Sequence, residues 1–413
     1  MRFLLLNQNF HPDVVATGQY LTKVALELVA RGHGVTVVTS RRAYDDPSRS
    51  FPPRETWRGV DIHRVGATGF GKGAKWKRAA DFGSNQLACL AKVATLPRHD
   101  AVLALTSPPL ISVLGAAAAR RWRARFFYWV MDFNPDEAVA AGWLRAGSAA
   151  FRTLDWMSRY SLRHATRVIA LDRFMRDRIT AKGIPPERVA VVPMWSHDAE
   201  VRFDAAGRER FRAELGLSEK FVVMYSGNHS PVHPLDTLIE AAFQLRRDPG
   251  FAFLFIGGGS ELGRVKQIAA ERGLTNVLCL PYRPLSELSA SLSAADTHVV
   301  VMGNPFVGLI HPCKIYNILA VRAPVLYLGP TPSHVTELLP RLDPATPHAG
   351  VRHGDTEGMV RALHELRLAR PLSAQRSPEP LAAEFAQTRL LPRFCDLLEQ
   401  AGLAPAEDAG KGR

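Results

Sequence analysis

A chain of 413 residues, 46% apolar and 22% charged, exceeds what one core ordinarily supports, so two folded domains are expected. Its net charge of +13 is lopsided: residues 1–200 hold 29 Lys+Arg against 17 Asp+Glu, whereas 201–413 hold 23 against 22. The four cysteines, Cys89, Cys279, Cys313 and Cys395, stand far apart with no metal-ligand or disulfide-framework spacing, which fits a reducing compartment.

In chain order, residues 3–6 form an apolar strand too short for a signal peptide, because Asn7-Gln8-Asn9 follows at once. Helical periodicity from 17 to 29 closes at Gly32-His33-Gly34, and 35–39 is the next strand. Further strands are read at 102–105, 126–130, 168–171 and 189–192. The uncharged stretch 101–119 imitates a membrane span, but Pro108-Pro109 splits it into a strand and a helix. A charged connecting helix at 199–217 leads to a second set of strands at 222–225, 253–256, 277–280, 297–301 and 325–328. Strands separated by helices imply βαβ units and parallel sheets. The domains are therefore expected at 1–198 and 199–380, with 381–401 a helix passing back to the first domain and 402–413 a disordered tail.

Three strand ends in the second half carry small residues: Ser226-Gly227-Asn228-His229, Gly257-Gly258-Gly259, and Gly303-Asn304-Pro305 leading to His311-Pro312-Cys313-Lys314. Such turns let backbone N–H groups face an anion, and in an α/β sheet they gather at one edge. That pattern points to a nucleotide diphosphate. A dinucleotide enzyme is excluded, since the first strand is followed by Asn-Gln-Asn-Phe-His-Pro-Asp instead of G-x-G-x-x-G, and no P-loop occurs. The chain also lacks an Asp-x-Asp to clamp a metal-bound diphosphate, leaving Lys, Arg, His and helix N-termini to neutralise it.

In the basic half one acidic turn stands out, Asp132-Phe133-Asn134-Pro135-Asp136-Glu137, after the strand at 126–130. A carboxylate there can orient or deprotonate an acceptor hydroxyl, or cap the next helix. His11 is a second candidate. Phe70-Gly71-Lys72-Gly73-Ala74-Lys75-Trp76-Lys77-Arg78 interleaves cations and aromatics and suits an anionic membrane surface, with Arg120 to Arg125 extending it. No nucleic-acid motif accompanies the charge.

Taken together, Phe10-His11-Pro12-Asp13 through Gly18, Gly32-His33-Gly34, Tyr225-Ser226-Gly227-Asn228, Ile256-Gly257-Gly258-Gly259 and Pro312-Cys313-Lys314-Ile315-Tyr316 resemble the family 4 glycosyltransferases. Within these, the resemblance is to the bacterial O-antigen, capsule and exopolysaccharide branch, over about residues 1–400. The resemblance implies the α/β GT-B fold, two Rossmann-like βαβ domains facing a cleft. It implies transfer of a sugar, hexosyl or N-acetylhexosaminyl, from a nucleotide diphosphate to an acceptor hydroxyl, with retention and no metal or other cofactor. It places Gly18 beside the donor, has Gly227 and Asn228 open the helix facing the diphosphate, and brings Gly257 and Gly258 against the nucleotide. Where the family carries an Arg and a Lys, this chain has His229 and His233; Lys314 is the diphosphate cation. Tyr282 or Arg283 packs on the base. The Gly308-Leu309-Ile310-His311 loop takes the sugar, with Tyr316 following, and Asn317 takes a ribose hydroxyl where the family has Glu. Asp132, Asp136 and Glu137 serve the acceptor. The implied partners are a polyprenyl-phosphate-linked or other lipid-linked acceptor and the inner face of the cytoplasmic membrane, with no nucleic acid. Alternatives are a nucleotide-sugar epimerase or hydrolase of the same fold, or a non-catalytic partner protein.

Overall fold

The computed structural model describes residues 1–13, 15–43, 49–66, 68, 75–369 and 379–400, with 75–80 and 82 described by their backbone alone. The chain divides into two compact units, one of 1–192, 308–310 and 391 onward, the other of 193–307 and 311–390.

In the first unit the elements are β1 (Arg2–Leu6), α1 (Ala16–Ala30), β2 (Gly34–Ser40), β3 (Arg54–Trp57), β4 (Val60–Val65), α2 (Lys75–Thr95), β5 (Ala101–Ala104) and α3 (Ile111–Trp122). They continue as β6 (Arg125–Trp129), α4 (Asp136–Ala140), α5 (Ala149–His164), β7 (Arg167–Ala170), α6 (Arg173–Ala181) and β8 (Val189–Val191). The sheet order is β3-β4-β2-β1-β5-β6-β7-β8, parallel except for the β3–β4 hairpin. That hairpin is an element the hydropathy pattern did not reveal. Its two-residue turn, Arg58-Gly59, holds φ of 49° and 84°, the left-handed pair that joins strands tightly. The uncharged stretch resolves as β5 followed by α3, and no helix among the described residues is long and apolar enough to cross a membrane. Lys75 to Arg78 form the opening turn of the 21-residue α2, while Phe70 to Ala74 lie outside the described residues, as does 402–413.

The second unit comprises α7 (Ala205–Glu214), β9 (Phe221–Asn228), α8 (Asp236–Gln244), β10 (Phe251–Gly258), α9 (Leu262–Glu271), β11 (Val277–Leu280) and α10 (Leu285–Ser293). After these come β12 (Thr297–Val301), α11 (Lys314–Ala320), β13 (Val325–Leu328), α12 (His334–Leu338), β14 (His348–Val351) and α13 (Thr356–Leu368). Its all-parallel sheet runs β11-β10-β9-β12-β13-β14. Strands covered on both faces must be apolar throughout, and β9, β10 and β12 are buried nearly end to end. Phe221, Val223, Phe253 and Val299 meet Leu238, Ile239, Leu262, Val265, Met359 and Leu363 from the covering helices in one core. The final helix, α14 (Gln387–Gln400), begins in the second unit and is counted with the first from Leu391. Within the first unit it is held by Arg31, which donates to Asp396 and Glu399, and by His33 against Glu399 at 2.6 Å.

Candidate active site

The second sheet reverses its winding between β9 and β12, with β10 and β11 on one side and β13 and β14 on the other. Outside the carboxyl ends at such a reversal, an open parallel sheet leaves a crevice for ligand. There Gly227 is the register partner of Gly257, and Asn228 of Gly258. A Cβ on Gly257 would fall 2.0 Å from the Gly227 carbonyl oxygen, and one on Gly259 2.2 Å from that of His229. Both glycines hold positive φ, 139° and 116°. Glycine is thus required twice over, by space and by backbone conformation, and the two strand ends meet as bare backbone. One expectation is corrected here. Gly227 and Asn228 do not open a helix; they are the last ladder residues of β9, and α8 starts only at Asp236.

Lys314, the first residue of α11, reaches this edge. Its Nζ lies 3.6 Å from the centre of the Tyr225 ring and 3.2 Å from where a Gly227 Cβ would stand. Nζ is buried with no hydrogen-bond partner. Burial pushes its pKa down to about 7, opposed weakly by Cys313. His229, fully buried, donates Nδ1–H to the Gly258 carbonyl at 3.3 Å, which leaves Nε2 enclosed without a partner. Burial, and then the Lys314 charge, lowers its pKa to about 4. His233 donates Nδ1–H to the Val301 carbonyl at 2.7 Å, and burial followed by Lys314 takes it to about 3. Lys314 acts on both histidines, and among the described residues no carboxylate offsets the three bases. Such an arrangement is chemically suited to an anion.

Tyr282, about half exposed at 48%, lies against the same glycines, its ring 2.9 Å from a Cβ on Gly258. Arg283 turns away into packing, its guanidinium 5.2 Å from the centre of the Phe211 ring and 3.7 Å from Glu287. His311 bonds the Tyr316 hydroxyl through Nε2 at 2.7 Å and stacks on His334, and Tyr316 stacks on Phe385 at 4.5 Å. The Asn317 side-chain oxygen accepts the His197 backbone N–H at 2.9 Å, so that oxygen has a structural bond. Leu309 is buried, and its carbonyl accepts the Phe133 N–H at 2.8 Å. A groove of about 800 Å³ lies between Asp236, Glu240, Glu271, Arg264, Arg272 and Phe306. Its carboxylates disfavour a diphosphate.

In the first unit Gly18 packs on the turn after β1, where a Cβ would stand 3.2 Å from the Asn9 carbonyl carbon. His11 stacks on Trp57 at 3.7 Å, and its pKa is lowered by burial. The acidic turn follows β6. Burial holds Asp132 and Glu137 above the usual carboxylate range, and their mutual repulsion adds to Glu137, whose carboxylate accepts from Asn134 at 3.2 Å. Asp136 instead pairs with Lys182 at 2.6 Å, as does Asp155. None of the three caps α4, whose N-cap is Pro135 without a side-chain bond. Burial thus sets Asp132 and Glu137 apart from the ion-paired Asp136.

Residues 16–195 match the Glycosyl transferase 4-like domain and 207–306 the Glycosyl transferases group 1 family, together about two thirds of the chain. The chain belongs to the GT-B glycosyltransferases of family 4. It is 27% identical over 335 residues to WcaI of Escherichia coli K12, assigned as a glycosyl transferase of colanic acid biosynthesis, covering 78% of this chain and 81% of that one. It is 29% identical over 236 residues to the glycosyltransferase WbjE of Pseudomonas aeruginosa, covering 55% and 57%. The fold superposes on Anabaena HepE, solved with UDP and glucose, with a TM-score of 0.72 at 17% identity over 97% of this chain and all of that one. In this glycosyltransferase the sequence reading overlooked Tyr225, whose ring lies under the Lys314 Nζ. Tyr225 lay inside a motif already noted, but nothing in the linear sequence pairs it with α11.

Proposed function

We propose that this glycosyltransferase moves a hexosyl or N-acetylhexosaminyl unit from a nucleotide diphosphate to an acceptor hydroxyl in building a bacterial cell-surface polysaccharide. The observation that carries it is the buried Lys314 Nζ, without a partner, over the glycine edge of β9 and β10. As the sugar departs, negative charge grows on the diphosphate; a cation held at this edge lowers that barrier. The names of WcaI and WbjE support polysaccharide synthesis, and the HepE complex supports a nucleotide-sugar donor. Retention and independence of metal are part of the proposal, supported by the family resemblance and, for the metal, by the lack of an Asp-x-Asp sequence. Asp132 and Glu137 would meet the acceptor hydroxyl, one as hydrogen-bond donor, the other as base. A lipid-linked acceptor fits the basic first half and the exposed Leu87 and Leu90 on α2, which suit an anionic bilayer.

The test is a thermal-shift screen against UDP-, GDP-, dTDP- and CMP-sugars, with and without EDTA, on the wild type and Lys314→Ala. One donor should stabilise the wild type equally in both conditions, and Lys314→Ala should lose the shift. If EDTA abolishes the shift, metal independence is wrong; if Lys314→Ala keeps it, the site is misplaced.

A further inference from the structure

A diphosphate in a nucleotide-sugar presents oxygens that accept hydrogen bonds and donate none. His229 already spends its Nδ1–H on the Gly258 carbonyl, so a neutral ring turns a bare lone pair toward the interior at Nε2. Such a ring repels a phosphate oxygen until Nε2 is protonated. Lys314 Nζ is likewise enclosed and unpartnered, and in its neutral form is a poor match for an anion. The groups facing these two bases are the Gly258 and Gly227 carbonyls, which favour protonation of His229, and the Tyr225 ring from β9 and the Phe255 ring from β10, 4.8 and 6.2 Å from the His229 ring. To these are added the neighbouring Cys313 and the imidazole of His233. Tyr282 adds to the field on Tyr225. None is a carboxylate, so among the described residues facing these bases there is no fixed countercharge for a protonated pair.

Resting on the donor-site reading above, we propose that donor binding is proton-coupled. The diphosphate seats on Lys314 and His229 as these two bases take protons from solvent, each nitrogen lone pair binding one. The resulting ammonium and imidazolium then donate to phosphate oxygens. No bond of the donor breaks in this step, and the protons return to solvent when the nucleotide leaves. The lowered pKa values of both bases agree with this, and an anion within a few ångströms favours the charged forms. The device also distinguishes this chain from a site of permanent charge. An arginine would bind donor with little regard to pH, whereas this pair binds more tightly as pH falls.

The experiment is isothermal titration of UDP-glucose, with GDP-mannose and dTDP-glucose as alternative probes, in two buffers of different ionisation enthalpy at about pH 8.5 and about pH 6. The difference in observed heat counts protons taken up. We expect uptake approaching one proton at the higher pH, lost in Lys314→Arg, and uptake at the lower pH lost in His229→Gln. Across the alkaline range the wild-type affinity should fall by up to about tenfold per pH unit. Binding without uptake at either pH overturns the inference and leaves the donor site standing. Uptake that persists in both variants overturns the assignment to these residues. Should His229→Gln fail to fold, the ¹⁵N shift of the wild-type His229 ring replaces it: an imidazolium in the bound state supports the proposal, a neutral ring refutes it. No binding by any of the three probes overturns the donor-site reading and this inference together.

Discussion

A buried ammonium with no hydrogen-bond partner costs several kcal/mol unless it sheds its proton or meets an anion, and Lys314 Nζ is so placed. The sign of the resulting pH effect follows from linkage. With a folded pKa of about 7 against the ordinary 10.5, the unfolded chain binds one more proton between those values. The ligand-free protein should therefore gain stability as pH rises from about 7 to about 10.5, and Lys314→Met should remove that rise. Melting temperatures across this range read it directly; a rise of equal size in both proteins would refute it. Lys314 was legible in the sequence, since a lysine after a Pro-Cys turn belongs to a family motif. What His229 does was not, because the identity of its Nδ1 acceptor depends on β10 lying beside β9.

Among the elements, β9 and β10 show where hydropathy stops and backbone geometry takes over. Their apolar runs marked them as buried strands, and the strands formed there. Their ends were misjudged because a glycine ends an apolar pattern but not a hydrogen-bonded ladder, which here runs on through Gly227–Gly257 and Asn228–Gly258. Substitution separates the two roles of glycine. Gly257→Ala forces a methyl to within 2.0 Å of the Gly227 carbonyl at a φ of 139°, and should cost on the order of 1–3 kcal/mol or more and abolish donor binding. Gly263→Ala, near the start of α9 with nothing within 4 Å, should instead stabilise by roughly 0.5–1 kcal/mol with donor binding unchanged. Urea denaturation and UDP-glucose titration of both variants check the pair. Equal effects would mean the strand ends tolerate side chains.

For the whole molecule, a buried ionic network and the glycine-rich strand ends lie at opposite ends of the strands of the second sheet. Asp296, almost fully buried just before β12, accepts from Arg208 at 2.5 Å, from Arg212 at 2.8 Å and from the Val222 N–H at 2.8 Å. Removing one member of a buried ionic network strands the others, so Asp296→Ala should destabilise by about 3–5 kcal/mol. Below its lowered melting temperature the variant should bind donor with unchanged affinity, because the glycine edge is at the other end of the strands. A large loss of affinity in a folded variant would contradict this.

The sequence by itself determined two α/β units, glycine-rich strand ends without a dinucleotide fingerprint, and the Pro-Cys-Lys motif that opens α11. Each of these rests on local pattern: alternating strand and helix hydropathy, glycine at strand ends, and a motif of adjacent residues. Only the tertiary structure decided that Tyr225 seats Lys314, that His229 is held in one tautomer, that Asp136 is spent on Lys182, and that Asn317 oxygen is spent on His197. Those facts depend on which strands lie side by side and which atoms burial leaves without a partner. A parallel sheet brings together residues far apart in the chain, and their partners are set by register and packing rather than by neighbouring residues.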